Sequence, residues 1–224
     1  MKYQIAIDGP SGAGKSSLAK ALARRLGFIY VDTGALYRTI GYYCATNGAN
    51  TACAEEVVAK LPEITLSLAY ENGSQTVILN GTSVGDKIRT PEMSMHASNV
   101  SKIPEVRAFL LDTQRNIAEE NSVIMDGRDI GTVILPKAQV KIFLVSSFEK
   151  RALRRVKEMR EKGIEVSYEE TLADMIARDR QDSEREVAPA VPAEDAVHLD
   201  NSELTFEETV DAAMAIITSR TDLV

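Results

Sequence analysis

The chain is expected to be an α/β protein. It should form a five-stranded parallel sheet with helices on both faces, interrupted by a small antiparallel β insert. Three observations predict this. Short apolar runs recur at Tyr3–Ile7, Phe28–Val31, Val123–Met125, Val140–Val145 and Ala196–Leu199, with helical periodicity between most of them. Such runs suit strands buried on both faces, as parallel strands are. Between the second and third run the period changes to two and meets Asn-Gly pairs, which marks an insertion.

The elements follow in order. The first strand leads into Gly9-Pro10-Ser11-Gly12-Ala13-Gly14-Lys15-Ser16, which fits G-x-x-x-x-G-K-[ST]. Leu18, Ala21, Leu22 and Leu26 then form a helical face. Glycines let successive N–H groups turn inward at an anion, and the helix start adds unpaired N–H groups and a positive dipole end. Lys15 can reach terminal phosphates, and the Ser16 hydroxyl can ligate Mg²⁺. The segment from Gly9 to Ser17 is therefore the expected nucleoside triphosphate site.

Asp32-Thr33-Gly34-Ala35-Leu36-Tyr37-Arg38 starts where the second strand ends, with Thr33 near a helix start and Arg38 on that helix. Ile64–Tyr70 alternates and meets Asn72-Gly73; Thr76–Leu79 then runs to Asn80-Gly81, predicting an antiparallel meander. Thr90-Pro91 restarts a helix, with proline in its favoured first position. Asp126-Gly127-Arg128-Asp129 ends the third strand. Capping boxes are expected at Ser146…Glu149, Ser167…Glu170 and Thr205…Glu208. Arg178, Asp182 and Arg185 share one helical stripe, which taken alone reads as a surface salt-bridge ladder, and Lys150 to Arg155 form a basic helix, either a solvated face or a source of arginines for the transition state. They flank an expected mobile segment around Gly163.

Length and composition restrict the partners. At 224 residues the chain fits one domain with lobes, and no Ser/Pro-rich linker divides it. A net charge of -7 disfavours nucleic-acid and anionic-membrane surfaces, so phosphate must be held by local basic clusters. Cys44 and Cys53 form no disulfide framework, and His96 and His198 lack metal-ligand neighbours. The first strand begins close to Met1, leaving no room for a signal peptide, and no apolar run spans a bilayer. The cytoplasm is the expected location.

A phosphate loop alone suits switches, motors and kinases. N-K-x-D and D-x-x-G segments for a GTPase switch are absent from the sequence. Ligands of wound sheets gather at strand carboxyl ends, where Arg38 and Arg128 are placed to meet a second, phosphorylated substrate. Each charge-assisted contact to phosphate is worth roughly 1.5–3 kcal/mol.

The combination GPSGAGKS, DTGALYR, the β insert, an Arg107-bearing helix, DGRDIGT and R-x-x-x-D-x-x-R followed by Ala188-Pro189 closely resembles the bacterial cytidylate kinases. The resemblance spans essentially the whole chain. It implies a P-loop kinase fold over 1–224, with a monophosphate-binding lobe at 33–107, its insert at about 63–90, and a helical lid at 150–187. It implies ATP-dependent phosphorylation of CMP and of dCMP, in pyrimidine nucleotide metabolism, with Mg²⁺ and in a monomer. By that resemblance Thr33, Arg38 and Arg128 position the CMP phosphate, and Ser98, Arg107 and Asp129 read cytosine. Arg178 and Asp182 face the ribose, Arg185 is directed to phosphate, and Arg154 and Arg155 are lid arginines closing on the triphosphate. Lys15, Arg128, Arg185, Arg154 and Arg155 are then the catalytic set, and Asp126 can orient the metal or its waters. Two alternatives stay open: another small-substrate kinase of the same fold, and a nucleotide-binding regulator without turnover.

Overall fold

The computed structural model describes residues 2–71, 74–161 and 163–223. They run β1 (Gln4–Asp8), α1 (Lys15–Leu26), β2 (Ile29–Asp32), α2 (Thr33–Thr46), α3 (Ala54–Lys60), β3 (Leu66–Glu71), β4 (Ser74–Leu79), β5 (Thr82–Ser83) and α4 (Pro91–Val100). Next come α5 (Pro104–Glu120), β6 (Val123–Asp126), β7 (Val140–Val145), α6 (Phe148–Glu161), α7 (Tyr168–Glu184), β8 (Val197–Asp200) and α8 (Phe206–Arg220). The parallel sheet has the order β2-β6-β1-β7-β8, and β3-β4-β5 form a separate antiparallel sheet. The five expected strands are therefore all present, shifted by one residue at most ends. The Asn72-Gly73 pair lies outside the described residues.

Two compact units divide the chain, one comprising 1–29 with 122–224 and the other 30–121. In the first, β1 lies between β6 and β7, pairing Ile5 with Ile124 and with Val140. Ile5, Ala6 and Ile7 are wholly buried, as are Leu18 and Leu22 of α1 and Ile217 of α8. Burying each large aliphatic side chain stabilises the fold by roughly 1.5–3 kcal/mol. In the second unit, Leu36 and Ile40 of α2 pack in one cluster with Val100 of α4, Val106 and Leu110 of α5, and Val77 and Leu79 of β4. The antiparallel insert thus shares the core of α2, α4 and α5. Its second turn holds Asn80 at φ 49 and Gly81 at φ 81, the pair of positive φ angles that suits Asn-Gly hairpins.

The caps correct part of the sequence reading. Thr205 and Glu208 form the full reciprocal box at α8, and the Thr90 hydroxyl accepts from Met93 N–H at α4. At α6 the cap is Ser147, not Ser146: its Oγ accepts from Lys150 N–H at 3.3 Å and its carbonyl from Arg151 N–H at 3.1 Å. The sheet holds the chain extended one residue longer, because Asn201 N–H bonds Val145 O. Ser146 consequently keeps a buried Oγ with no hydrogen-bond partner. At α7 the Ser167 Oγ accepts from Glu170 N–H but donates to Glu169 rather than meeting a reciprocal Glu170. Gly163, at φ +74, closes α6 with bonds from its own N–H to Arg160 O and from Ile164 N–H to Met159 O. These are the backward bonds of a helix ended by a left-handed residue.

Candidate active site

The phosphate loop follows β1 directly. A Cβ on Gly9 would collide with the Leu144 carbonyl, so only glycine fits between the loop and β7. Gly14 caps α1 in the left-handed region, at φ 93. Lys15 is buried and its Nζ donates to Pro10 O at 2.7 Å. Burial, helped by the charge of Arg128, pushes its pKa down to about 7 despite Asp126 and Asp8 nearby. Ser16 Oγ donates to Asp126 Oδ2 at 2.8 Å, and Asp126 is buried at the end of β6. A hydroxyl and a carboxylate so placed are hard oxygen donors of the kind Mg²⁺ takes. Among the described residues no cluster of three His, Cys, Asp or Glu could hold a metal by itself.

Beyond β6 lie the guanidinium groups. Arg128 Nε donates to Asp182 Oδ2 at 3.1 Å, and Arg178 Nε stands 4.0 Å from the same oxygen. Arg185 Nη2 is 3.6 Å from Asp129 Oδ1, with both side chains buried. Burial pushes the Asp182 carboxyl up, but Arg128, Arg178 and Arg185 outweigh it and hold it below the usual carboxylate value. The helical stripe needs one correction. Arg178 and Asp182 lie on α7, but Arg185 is the residue after it, with extended backbone at φ -63 and ψ 142. The helix stops there, and Arg185 Nε instead donates to Ala188 O.

Asp8 is a site residue that the sequence reading missed. Its two carboxylate oxygens accept from Ile130 and Gly131 N–H at 2.8 Å each, fastening the segment after Asp129 to the end of β1. Burial raises its pKa to about 6, although those two bonds oppose the rise. The available signal was an acid closing an otherwise apolar strand. Arg151, Asp179 and Asn201, all of which touch the loop, were missed as well. Of the expected lid arginines, Arg154 donates to Ala13 O and to Asn201, and Arg155 pairs with Glu158 on the same helix.

The unit of residues 30–121 carries its own polar group. Asp32 caps α2 by accepting from Ala35 N–H at 2.9 Å, and its other oxygen holds Arg38 Nη2 at 2.8 Å. Arg38 Nε is buried and has no hydrogen-bond partner. Gln75 of β4 accepts from Asp32 N–H at 2.8 Å, linking the insert to this segment. Thr33 is buried at the start of α2, and Ser98 is buried on α4. Arg107, buried on α5, donates to Ser101 O at 3.2 Å with its guanidinium 5.7 Å from the Tyr37 ring centroid.

The family model described as cytidylate kinase matches residues 5–219. The cytidylate kinase of Thermosipho melanesiensis is 47% identical over 223 residues, covering 100% of each chain. That of Enterococcus faecalis is 46% identical over 216 residues, covering 96% of each. A crystal structure of an uncharacterized protein from Eubacterium ventriosum covers 99% of each chain at a TM-score of 0.50 and 16% identity, a likeness of fold. With a phosphate loop closing β1, an arginine–carboxylate cluster past β6 and full-length relatives of one kind, the chain belongs to the cytidylate kinase family.

Proposed function

We infer that the chain transfers the γ-phosphoryl group of ATP to CMP, giving CDP and ADP, and that dCMP is accepted in the same way. The observation that carries this reading is the ion-pair cluster of half-buried Arg128 and Arg178 with buried Asp129, Asp182 and Arg185, in the same unit as the phosphate loop. A protein that only bound a triphosphate would have no use for a second set of guanidinium groups gathered on two buried carboxylates.

The nucleophile is a phosphate oxygen of CMP, already anionic at neutral pH, so no strong general base is required. Catalysis then rests on positioning and on stabilising charge in a loose phosphoryl transition state. The loop from Gly9 to Ser17 binds the triphosphate, with the Lys15 ammonium directed at its terminal phosphates. Ser16 and Asp126 would hold Mg²⁺, which would supply neutralisation of phosphate charge. Thr33, Arg38 and Arg128 take the CMP phosphate, and Arg185 adds charge there. Asp182, held ionised by its arginines, can accept from ribose hydroxyls. Ser98, Arg107 and Asp129 read the base, Asp129 accepting from the exocyclic amine of cytosine. Arg154 and Arg155, in a lid at 150–187, close on the donor and exclude water that would otherwise take the phosphoryl group. We place the reaction in pyrimidine nucleotide metabolism, in a cytoplasmic monomer; no described helix is long and apolar enough to cross a membrane.

Transfer of label from γ-³²P ATP to CMP tests the reading. Labelled CDP formed only when CMP is present supports it, and label released solely as inorganic phosphate contradicts it.

A further inference from the structure

The loop is gripped from behind as well as aimed forward. Ser11 O accepts from Arg151 Nη1 at 2.8 Å, while Ser11 N–H donates to Asp179 Oδ1 at 3.2 Å. Asp179 Oδ2 closes the ring by accepting from the same Arg151 nitrogen at 2.6 Å. Arg151 is 2% exposed, and its Nε is anchored on Ser146 O at 2.9 Å. Two residues on, Ala13 O accepts from Asn201 Nδ2 at 3.0 Å. Asn201, just past β8, is 5% exposed and accepts through Oδ1 from Arg154 Nη1 at 3.3 Å. Neighbouring loop carbonyls are thus held by buried side chains from two other parts of the fold.

A trans peptide is planar, with its C=O and the following N–H pointing in opposite directions. Fixing Ser11 O therefore fixes the direction of the Gly12 N–H, and fixing Ala13 O fixes that of the Gly14 N–H. Gly12 and Gly14 both have positive φ, at +75 and +93. Glycine has many backbone conformations to lose, so an ungripped loop would order its amides only when the phosphates arrive, at an entropic cost to binding. Donors set in advance act on charge without reorganising at the moment of reaction.

We propose that Asn201 and the Arg151–Asp179 pair are positioning residues of the donor site, orienting the Gly12 and Gly14 amides toward the triphosphate by holding the Ser11 and Ala13 carbonyls. They act through the loop and touch no reacting atom. The inference rests on the loop being the ATP site. It also gives the first turns of α6 a structural duty, because Arg151 and Arg154 each reach a loop carbonyl.

Two substitutions test it. Asn201→Leu keeps size and neutrality but removes the donor to Ala13 O. Asp179→Asn keeps an acceptor for Ser11 N–H and weakens the hold on Arg151. Kd for ATP and KM for CMP are measured with parent and variants, beside thermal unfolding. The expected result is ATP affinity about tenfold weaker, with KM for CMP within twofold and unfolding still cooperative. ATP affinity within twofold of the parent in both folded variants overturns the proposal, as does equal weakening toward ATP and CMP. If Asn201→Leu does not fold, Asp179→Asn decides alone. A parent chain that fails to bind ATP refutes the functional reading instead.

Discussion

Ser16 Oγ and Asp126 Oδ2 are joined by a 2.8 Å hydrogen bond that ties the start of α1 to the end of β6. One residue lies in the first turn of the helix that follows the phosphate loop, and the other is 110 positions away. The bond exists because β1 and β6 are parallel neighbours, so the loop after one faces the terminus of the other. If this pair serves the metal, Asp126→Asn should raise the Mg²⁺ concentration for half-maximal rate by roughly 10–100-fold, the usual cost of losing a supporting carboxylate. A Mg²⁺ titration of the rate measures it, and an unchanged requirement removes Asp126 from that role.

Arg38 is held by Asp32 through Nη2 while its buried Nε lacks a partner. A guanidinium arranged in this way is ready for a bidentate anion. Arg38→Ala should lower kcat/KM for CMP by roughly 10–100-fold, the equivalent of one charge-assisted contact, while the Kd for ATP stays near that of the parent. An equal loss toward both substrates would point to damage to α2 rather than to a lost phosphate contact.

Asp129 is a buried carboxylate beside Arg185. As the acceptor for the cytosine amine it would face a carbonyl when UMP enters, and such mismatches reach about 10⁴ in favourable cases. Asp129→Asn should flatten the preference for CMP over UMP. The ratio of kcat/KM values is the readout, because loss of the Arg185 pair would depress both substrates together and leave the ratio intact.

Asp8 makes stability depend on pH. Its folded pKa, about 6, lies above the ordinary value, because burial disfavours the ionised form. Its protonation therefore favours the fold, fully below about pH 4, and that contribution is lost as pH rises through 6. A rise of this size is worth about 3 kcal/mol. Parent and Asp8→Asn should be compared by denaturant unfolding at about pH 4.5 and about pH 7.5, on either side of the folded value. The parent should lose stability relative to the variant over that interval, and a constant difference would contradict the assignment.

The sequence made the frame legible because its signals are local. Ile5, Ala6 and Ile7 announce a buried strand, the glycines around Lys15 announce a turn, and Thr205 with Glu208 announces a helix start. Spacing alone misplaces the cap at α6 by one residue, because the bond from Asn201 to Val145 that delays the helix crosses 56 positions of sequence. The break before Arg185 is hidden for a similar reason: Arg178, Asp182 and Arg185 keep helical spacing, while the stop is set by the turn at Ala188. Asp8, Arg151, Asp179 and Asn201 are invisible as site residues in the sequence, since each acts on backbone groups that only the folded sheet brings near. Side chains that serve backbone leave no spacing to read.

A coupled assay of ADP formation with CMP, dCMP, UMP and AMP as acceptors tests the central claim most directly. The account predicts rapid turnover with CMP and dCMP, far slower turnover with UMP and AMP, and no sustained ADP formation without an acceptor. Turnover fastest with AMP, or ATP binding with no acceptor-dependent ADP, would contradict it.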